Sequence, residues 1–331
     1  MVWLQFMGCV CLIGLSGFKL IRYGDALATL TGMSRSWVGL ILVATVTSLP
    51  ELVTGLSSVT VANAPDLAIG DALGSCIFNL AILAWVDVFY RKRSVYSFAN
   101  HSHILSAGFG VILLAATALV FALTAQGLMP SLGHVSWGSL LIVCLYAFGI
   151  RTLYLFEQTH QQPQAVRTSD LALKPALTGY AWSSMVIVGC GIWLPLIGVE
   201  LARLMGWSDS FVGTLLVALA TSVPEVATTV GAVRIGAIDL AVANLLGSNL
   251  FDTLILSIDD FAYVQGILFA RASTIHVVSA LTACLMTGLV VVALAYRPAS
   301  RVMRIGSWAS IALLALYVLN AVLQYAHGRQ S

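Results

Sequence analysis

The most regular feature of the chain is a series of long apolar runs separated by short polar segments. A helix needs about 20 mostly apolar residues to cross the hydrocarbon core of a bilayer. Ten runs reach this length, at residues 2–21, 36–62, 66–87, 102–124, 135–157, 176–199, 209–233, 239–260, 274–296 and 305–326. The pattern therefore predicts an all-α polytopic membrane protein with about ten transmembrane helices.

Composition and charge add an orientation to this picture. Of the 331 residues 59% are hydrophobic and 9% are charged, whereas soluble domains carry about 25% charged residues. Of the 16 basic residues, 13 lie in or beside the connections that follow the odd-numbered runs. The positive-inside rule then predicts basic loops in the cytoplasm and both termini outside. We expect an integral protein of a prokaryotic plasma (inner) membrane, and the scattered basic residues do not suggest nucleic-acid binding.

The chain also contains an internal repeat. Residues 42–51 read LVATVTSLPE and residues 216–225 read LVALATSVPE, identical at seven of ten positions. A second block follows each copy, DLAIGDALGSCIFNL at 66–80 and DLAVANLLGSNLFDT at 239–253. Five predicted helices separate equivalent points, so the second copy enters the membrane with inverted topology. We predict halves at 1–157 and 176–331, a cytoplasmic linker at 158–175, and ion-binding repeats at about 39–80 and 213–253.

Each repeat places a proline and a glutamate in the middle of an apolar run. Pro50 cannot donate a hydrogen bond to the carbonyl of Val46, and Pro224 likewise frees that of Ala220. A carbonyl freed inside a membrane needs another partner or a polar cavity. The prolines therefore predict two broken helices whose breaks line the polar centre of the protein.

Oxygen-bearing side chains recur around these breaks at the spacing of one helical turn, which puts each pair on one helix face. The pairs are Thr47 with Glu51, Thr221 with Glu225, Ser75 with Asn79, and Ser248 with Asp252. A charged side chain at the bilayer centre costs about 2.5–3.5 kcal/mol on insertion scales, and no lysine or arginine lies mid-span to pair with the three carboxylates. Hard oxygen donors without histidine or thiolate suit Ca²⁺ or Na⁺.

With these motifs the sequence resembles the calcium/cation antiporter superfamily, and within it the compact prokaryotic members of the sodium/calcium exchanger branch. The resemblance rests on VTSLPE with GSCIFN and on ATSVPE with GSNLFD. It implies two inverted halves of five helices and one central ion site. The implied ion ligands are Glu51, Glu225, Asp252, Asn79, Ser75, Ser248, Thr47, Thr221, Ser48 and Ser222, with backbone carbonyls from Ala44 and Ala218. The departures from the family pattern are Val46, Ala220, Cys76 and Asp71.

The preferred interpretation is a secondary antiporter, not an enzyme, that moves Ca²⁺ out against Na⁺ entry while the first and sixth helices slide on the core. Its partners would be Ca²⁺, Na⁺ and the lipid bilayer, with no resident cofactor and no protein partner inferable from the sequence. A Ca²⁺ or other cation/H⁺ exchanger on the same fold is the alternative, because carboxylates in a dry site can carry protons. An intramembrane aspartyl protease is a remote third class. Asp259 and Asp260 are expected to form a solvated helix end, with an ion vestibule as the alternative.

Overall fold

The computed structural model describes residues 1–31, 44–90, 93–98, 101–159, 171–234, 236–298 and 306–329. Several predicted features lie outside these ranges. They are the start of the second apolar run and of the first repeat (36–43), most of the linker (160–170), and the first residue of the last run (305).

The described residues are mainly helical. The longer helices are α1 (Val2–Thr31), α3 (Leu49–Ser57), α4 (Pro65–Phe89), α5 (His101–Ala125), α6 (Trp137–Thr159), α7 (Leu173–Met205), α10 (Val223–Arg234), α11 (Ile238–Ala262), α13 (Ile275–Tyr296) and α14 (Trp308–Gly328). The short helices are α2 (Ala44–Thr47), α8 (Asp209–Phe211), α9 (Ala218–Thr221) and α12 (Leu268–Arg271). Strands β1 (Ser131–Leu132) and β2 (Val135–Ser136) form an antiparallel hairpin. π-Helical segments cover Ser58–Ala62 and Val212–Val217, and a 3₁₀ turn covers Val95–Phe98.

Eight helices in the described part of the chain are long and apolar enough to cross a membrane. A ninth span is obtained if the bent pair Asp209–Thr221 and Val223–Arg234 is counted as one. The segment Leu49–Ala62 is a shorter apolar helix. The predicted all-α polytopic class is confirmed, whereas the count of ten helices and the division into two halves stay predictions.

Both prolines stand where a helix is broken. In the first half α2 ends at Thr47, Ser48 leaves helical geometry with φ −84° and ψ 13°, and α3 begins at Leu49. In the second half α9 ends at Thr221, and Ser222 has φ −82° and ψ 10°. The two segments flanking Ser222 are bent by 44°. The missing N–H of each proline accounts for the local loss of the helical ladder.

The two helices that carry the Gly-Ser motifs, α4 and α11, form the centre of the molecule. Of their most apolar stretches 78% and 83% are buried. They contact each other and the broken helices. Gly74 shows why a small residue is needed there, because an added Cβ would collide with the carbonyl oxygen of Thr214 and with Ala218. The glycine at position 74 therefore lets α4 pack closely against the broken helix of the second repeat.

Helices α1 and α7 pack against each other, and each also contacts the broken helix of the other repeat. α1 contacts α10 of the second half, and α7 contacts α3 of the first. The contacts are close at glycines: a Cβ on Gly17 would lie 2.6 Å from Pro224 Cγ, and one on Gly191 would lie 2.8 Å from Val53 Cγ1. These two glycines are separated by 174 residues, which is the separation of Glu51 and Glu225.

Two equivalent aspartates tie loops to the ends of the central helices. On α4, Asp87 Oδ1 accepts from Val95 N at 2.9 Å, and its Oδ2 accepts from Ser307 N at 2.9 Å. On α11, Asp260 Oδ1 accepts from Leu268 N at 2.9 Å, and its Oδ2 accepts from Ser136 N at 2.8 Å. The expectation of a solvated end at Asp259 and Asp260 was wrong, since both side chains are 0% exposed. The loops fold back over this end of α11 and donate to Asp260, and neighbouring chain encloses Asp259.

Candidate ion-binding site

The two glutamates lie in the first turns after the two helix breaks. Glu51 is 1% exposed and Glu225 is 0% exposed. Because each proline sits at the start of a new helix, the glutamate that follows it belongs to the first turn. There the unpaired N–H groups of the helix N-terminus favour negative charge. The break therefore positions a carboxylate in the protein interior and also helps to stabilise its charge.

Hydroxyl groups link each glutamate to both halves of the chain. Glu51 Oε1 lies 3.1 Å from Ser222 Oγ, which comes from the opposite broken helix, and 3.5 Å from Ser75 Oγ on α4. Ser222 Oγ and Ser75 Oγ are themselves 3.0 Å apart.

The arrangement around Glu225 is equivalent. Its Oε1 lies 3.4 Å from Ser48 Oγ of the opposite broken helix and 3.3 Å from Ser248 Oγ on α11. Each glutamate thus accepts hydrogen bonds from the serine of the other break and from the Gly-Ser helix that follows its own break.

The two central helices are joined by a second set of contacts. Asn79 Nδ2 donates to Asn249 Oδ1 at 3.0 Å, and Asn249 Nδ2 donates to the carbonyl of Cys76 at 3.1 Å. Cys76 Sγ lies 3.7 Å from the carbonyl oxygen of Asn249 and 4.0 Å from Asp252 Oδ2. Cys76 and Asn249 occupy equivalent positions, 173 residues apart, and contact each other reciprocally. The departure at Cys76 therefore replaces one amide donor with a weak thiol donor.

Four acceptor oxygens of this region have no hydrogen-bond donor. They are Glu51 Oε2, Glu225 Oε2, Asp252 Oδ1 and Asn79 Oδ1, and all four are buried. A buried carboxylate oxygen without a donor, a cation or a proton carries a large desolvation cost. The carboxylates of Glu51, Glu225 and Asp252 also lie within electrostatic range of one another, so their charges repel. The arrangement is one that a bound cation would stabilise.

The threonines of the two breaks contact the position that precedes each Gly-Ser motif. Thr221 Oγ1 donates to Asp71 Oδ1 at 2.9 Å, and Thr47 Oγ1 donates to Asn244 Oδ1 at 3.4 Å. Asp71 and Asn244 are equivalent residues 173 positions apart. The departure at Asp71 therefore introduces a carboxylate where the second half has a neutral amide.

The carbonyls of Ala44 and Ala218 already have local donors. The carbonyl of Ala44 accepts from Ser48 N at 2.9 Å and from Thr47 Oγ1 at 3.1 Å, and Ala218 has the same two kinds of donor. Because a threonine hydroxyl has one proton to donate, Thr47 and Thr221 satisfy these carbonyls only while they do not donate to Asn244 and Asp71.

The predicted residues are brought together around the two breaks, but not as a compact group of acids. Among the residues that the structure describes, no three His, Cys, Asp or Glu side chains are close enough to form a ready-made metal-binding group. Hydroxyl and amide oxygens lie between the carboxylates instead. Their role as ion ligands stays a prediction.

Two residues of the region were missed or misread from the sequence. Asn249 joins both central helices, and its only signal was its place in the GSN motif. Asp259 lies beside Gly55, because a Cβ on that glycine would fall within 3.0 Å of its carboxyl group. Its distance of seven residues from Asp252, two helical turns, is the signal that could have placed it on the same face of α11.

Comparisons with known proteins identify relatives of this chain. The family model described as sodium/calcium exchanger protein matches residues 1–155 and 176–326. The Inner membrane protein YrbG of Escherichia coli (strain K12) is 25% identical over 256 residues, which cover 74% of each chain.

Two solved structures share the fold over nearly the whole chain. The sodium-calcium exchanger NCX_Mj has a TM-score of 0.65 at 21% identity, over 97% of this chain and 99% of its own. The H⁺/Ca²⁺ exchanger CAX has a TM-score of 0.71 at 15% identity, over 99% of this chain and 85% of its own.

Proposed function

The chain belongs to the sodium/calcium exchanger family, and from this premise we propose that it exchanges Na⁺ for Ca²⁺ across a membrane. The family is one of membrane antiporters rather than enzymes, and membership supports a cation/Ca²⁺ antiporter. Membership of a transporter family gives no support to the aspartyl protease alternative. Sodium coupling and the identity of the residues that bind each ion go beyond family membership and are proposed here.

The observation that carries the proposal is the set of four buried acceptor oxygens without donors, on Glu51, Glu225, Asp252 and Asn79. Three carboxylates and one amide match the oxygen ligands that Ca²⁺ prefers. In the proposed site Glu51 and Glu225 bridge the ion from opposite breaks. Asp252 supplies the third formal charge, and Asn79 completes the ligand ring.

The hydroxyl groups around the glutamates are the proposed Na⁺ ligands. Ser75 and Ser248 each contact one of the two glutamates, and Ser48 and Ser222 cross between the repeats. Thr47 and Thr221, which are also proposed as ligands, contact Ser248 and Asp71. A hydroxyl supplies an oxygen ligand without adding a negative charge. Sodium ions bound here would use the same glutamates as Ca²⁺, so the two ions would exclude each other. Mutual exclusion is what couples their movements.

Alternating access requires that the site open to one side at a time. We assign the moving part to α1 and α7, because they contact each other and lie across both helix breaks. They approach the broken helices closely at Gly17 and Gly191, which carry no side chain to obstruct sliding. The proposed orientation has both termini outside and the basic loops in the cytoplasm of a prokaryote.

The test is radioactive Ca²⁺ uptake into proteoliposomes loaded with Na⁺ and diluted into Na⁺-free buffer. We expect uptake that requires the Na⁺ gradient and is lost in Glu51→Gln, which keeps the size of the side chain and removes its charge. Glu200→Gln is the matched control, because Glu200 is a partly exposed residue paired with Arg203 at 2.6 Å. Full uptake in folded Glu51→Gln would contradict the proposed site.

Proton coupling is the second candidate, and the observation that favours it is the same group of buried carboxylates without donors. A carboxyl group in a dry site can be neutralised by a proton as well as by a cation. The distinguishing measurement is Ca²⁺ uptake in Na⁺-free medium driven by a pH gradient. Uptake under that condition that is lost in Glu51→Gln would show that protons rather than Na⁺ are coupled to Ca²⁺ at the same site.

A further inference from the structure

Another buried carboxylate lies beyond the central site, at Asp259 of α11. Its side chain is 0% exposed, and neither Oδ1 nor Oδ2 has a hydrogen-bond partner. The adjacent Asp260 is equally buried, but it accepts from the backbone N–H groups of Ser136 and Leu268 and from the Ser139 hydroxyl. The contrast between neighbours shows that burial at this helix end does not by itself leave a carboxylate without donors.

The helix that faces Asp259 approaches its carboxylate closely and carries further oxygens. Gly55 of α3 makes the closest approach, since an added Cβ would collide with the Asp259 carboxylate. Thr54 and Ser58, one position before and three after that glycine, are fully buried, and each has a hydroxyl oxygen without a partner. Positions 51, 54, 55 and 58 share one face of a helix. The hydroxyls therefore continue the face that begins at Glu51.

Buried acids likewise extend along α11 away from the central site. Asp259 follows Asp252 by seven residues, which is two turns and about 10 Å along the helix. Asp71 of α4 lies next to the break at Ser222, where its Oδ1 accepts a hydrogen bond from Thr221 Oγ1 at 2.9 Å. One of its oxygens, Oδ2, also has no donor. A row of buried acids thus extends from the central site toward the side of the membrane on which α11 ends.

The other side of the central site has no such row. The position equivalent to Asp259 is Val86, and the position equivalent to Asp71 is Asn244, each 173 residues away. The position equivalent to Gly55 is Thr229, at a separation of 174 residues. The internal repeat therefore does not account for the additional acids, which are confined to one approach to the site.

We propose that Asp259, with the hydroxyls of Thr54 and Ser58, forms a second binding site for a monovalent cation on one approach to the central ion site. One carboxylate and two hydroxyls provide a single negative charge. That suits Na⁺ better than Ca²⁺, which usually takes 6–8 oxygens. Such a site would concentrate Na⁺ next to the exchange site on the side where α11 ends. That side is the outside in the proposed orientation, and the Na⁺-loading role rests on the proposed function.

The first test measures binding without transport. The melting temperature of the purified protein is followed as NaCl replaces choline chloride at constant ionic strength, since a ligand that binds the folded state raises it. We expect Glu51→Gln to keep part of the Na⁺-dependent rise, because the second site does not use Glu51, and the double variant with Asp259→Asn to lose it. An Na⁺ response that is absent in Glu51→Gln, or equal in the single and double variants, overturns the proposal.

The second test measures sidedness in proteoliposomes of known protein orientation. Asp259→Asn should raise the half-saturating Na⁺ concentration about three- to tenfold on the side where α11 ends, as expected for loss of one charge about 10 Å from the exchanged ions, and should not change it on the other side. Gly55→Ala, which crowds the same carboxylate from the facing helix, should shift it in the same direction. An equal change on both sides, or none, contradicts the proposal.

Two control variants separate an effect on Na⁺ binding from a general effect on folding. Asp260→Asn removes the same charge one residue away, and it should lower the melting temperature while keeping the Na⁺ response. Gly231→Ala repeats the glycine substitution where the added Cβ meets nothing within 4 Å. If the wild-type protein shows no Na⁺-driven Ca²⁺ flux, the proposed function fails, and the melting-temperature test still decides the second site.

Discussion

The two sides of the central site carry different acids, although the glutamates and serines at the site itself are matched pairs. Glu51 and Glu225 are held in the same way, each by a serine from the opposite break and a serine from a Gly-Ser helix. On one approach the chain has Asp71 and Asp259, and at the equivalent positions of the other it has Asn244 and Val86. In the proposed mechanism the matched pairs would serve a site that opens to each side in turn, and the unmatched acids would give the two sides different affinities for Na⁺.

The matched pair of glutamates is where we expect the largest effect. Glu51→Gln and Glu225→Gln should each lower the initial rate of Ca²⁺ uptake by about 100-fold or more, since each removes a buried charge that has to balance a divalent ion and each tenfold corresponds to 1.36 kcal/mol. Uptake by folded, reconstituted protein measures both. A loss in one variant without the other would show that the halves are not equivalent at the site.

The crossed serines should give the next largest effect. Ser48→Ala and Ser222→Ala each remove a hydrogen bond to a glutamate of the opposite half. We expect each substitution to raise the half-saturating concentrations of Ca²⁺ and Na⁺ about tenfold, since hydrogen bonds to charged groups contribute ~1.5–3 kcal/mol. Combining either substitution with loss of its glutamate partner should add little further effect. Additive effects would show that the 3.1 Å and 3.4 Å contacts are not used in ion binding.

Substitutions at the equivalent positions Asp71 and Asn244 can remove or reverse the charge difference between the two sides of the central site. Asp71→Asn should raise the half-saturating Na⁺ concentration about threefold on the side where α11 ends, because it removes one charge near the site. Asn244→Asp should lower it on the other side. Sided Na⁺ titrations of Ca²⁺ uptake measure both changes. Effects of either variant that are identical on the two sides would contradict the account.

The smallest effect is expected at Cys76. Cys76→Asn restores an amide opposite Asn249 and makes the contact between the central helices symmetric. Because Cys76 makes weak contacts through its thiol, at 3.7 Å and 4.0 Å, we expect transport to change less than about twofold, within the scatter of conservative buried substitutions. Steady-state uptake and melting temperature are the measurements. A large loss of uptake would show that the thiol has a role that its contacts do not indicate.

Much of this arrangement could be predicted from the sequence because it depends on local spacing. Pro50 and Pro224 predicted the breaks, since a missing N–H acts on its own helix. The spacing of four residues placed Ser248 with Asp252 on one face of α11, whereas the breaks at Ser48 and Ser222 separate Thr47 from Glu51 and Thr221 from Glu225. The apolar runs indicated the membrane helices, although α1 continues to Thr31, ten residues past its run, because polar residues can extend a helix beyond the hydrocarbon.

The crossed contacts and the state of Asp259 depend on distant parts of the chain. Nothing local indicates that Ser222 reaches Glu51, 171 residues away, rather than Glu225, three residues away. Asp259 and Asp260 look alike in sequence, but adjacent helical residues point about 100° apart. One therefore meets loop donors while the other faces Gly55. The sequence pattern predicted a solvated end for both because charged residues at helix ends usually reach water.

The measurement that tests the account most directly is equilibrium binding of radioactive Ca²⁺ to the purified protein, titrated with Na⁺ and with choline as the control. The account predicts Ca²⁺ binding that is lost equally in Glu51→Gln and Glu225→Gln, displaced by Na⁺ and unaffected by choline. Ca²⁺ binding that survives in both folded variants, or that Na⁺ does not displace, would contradict the claim that the two helix breaks form one shared ion site.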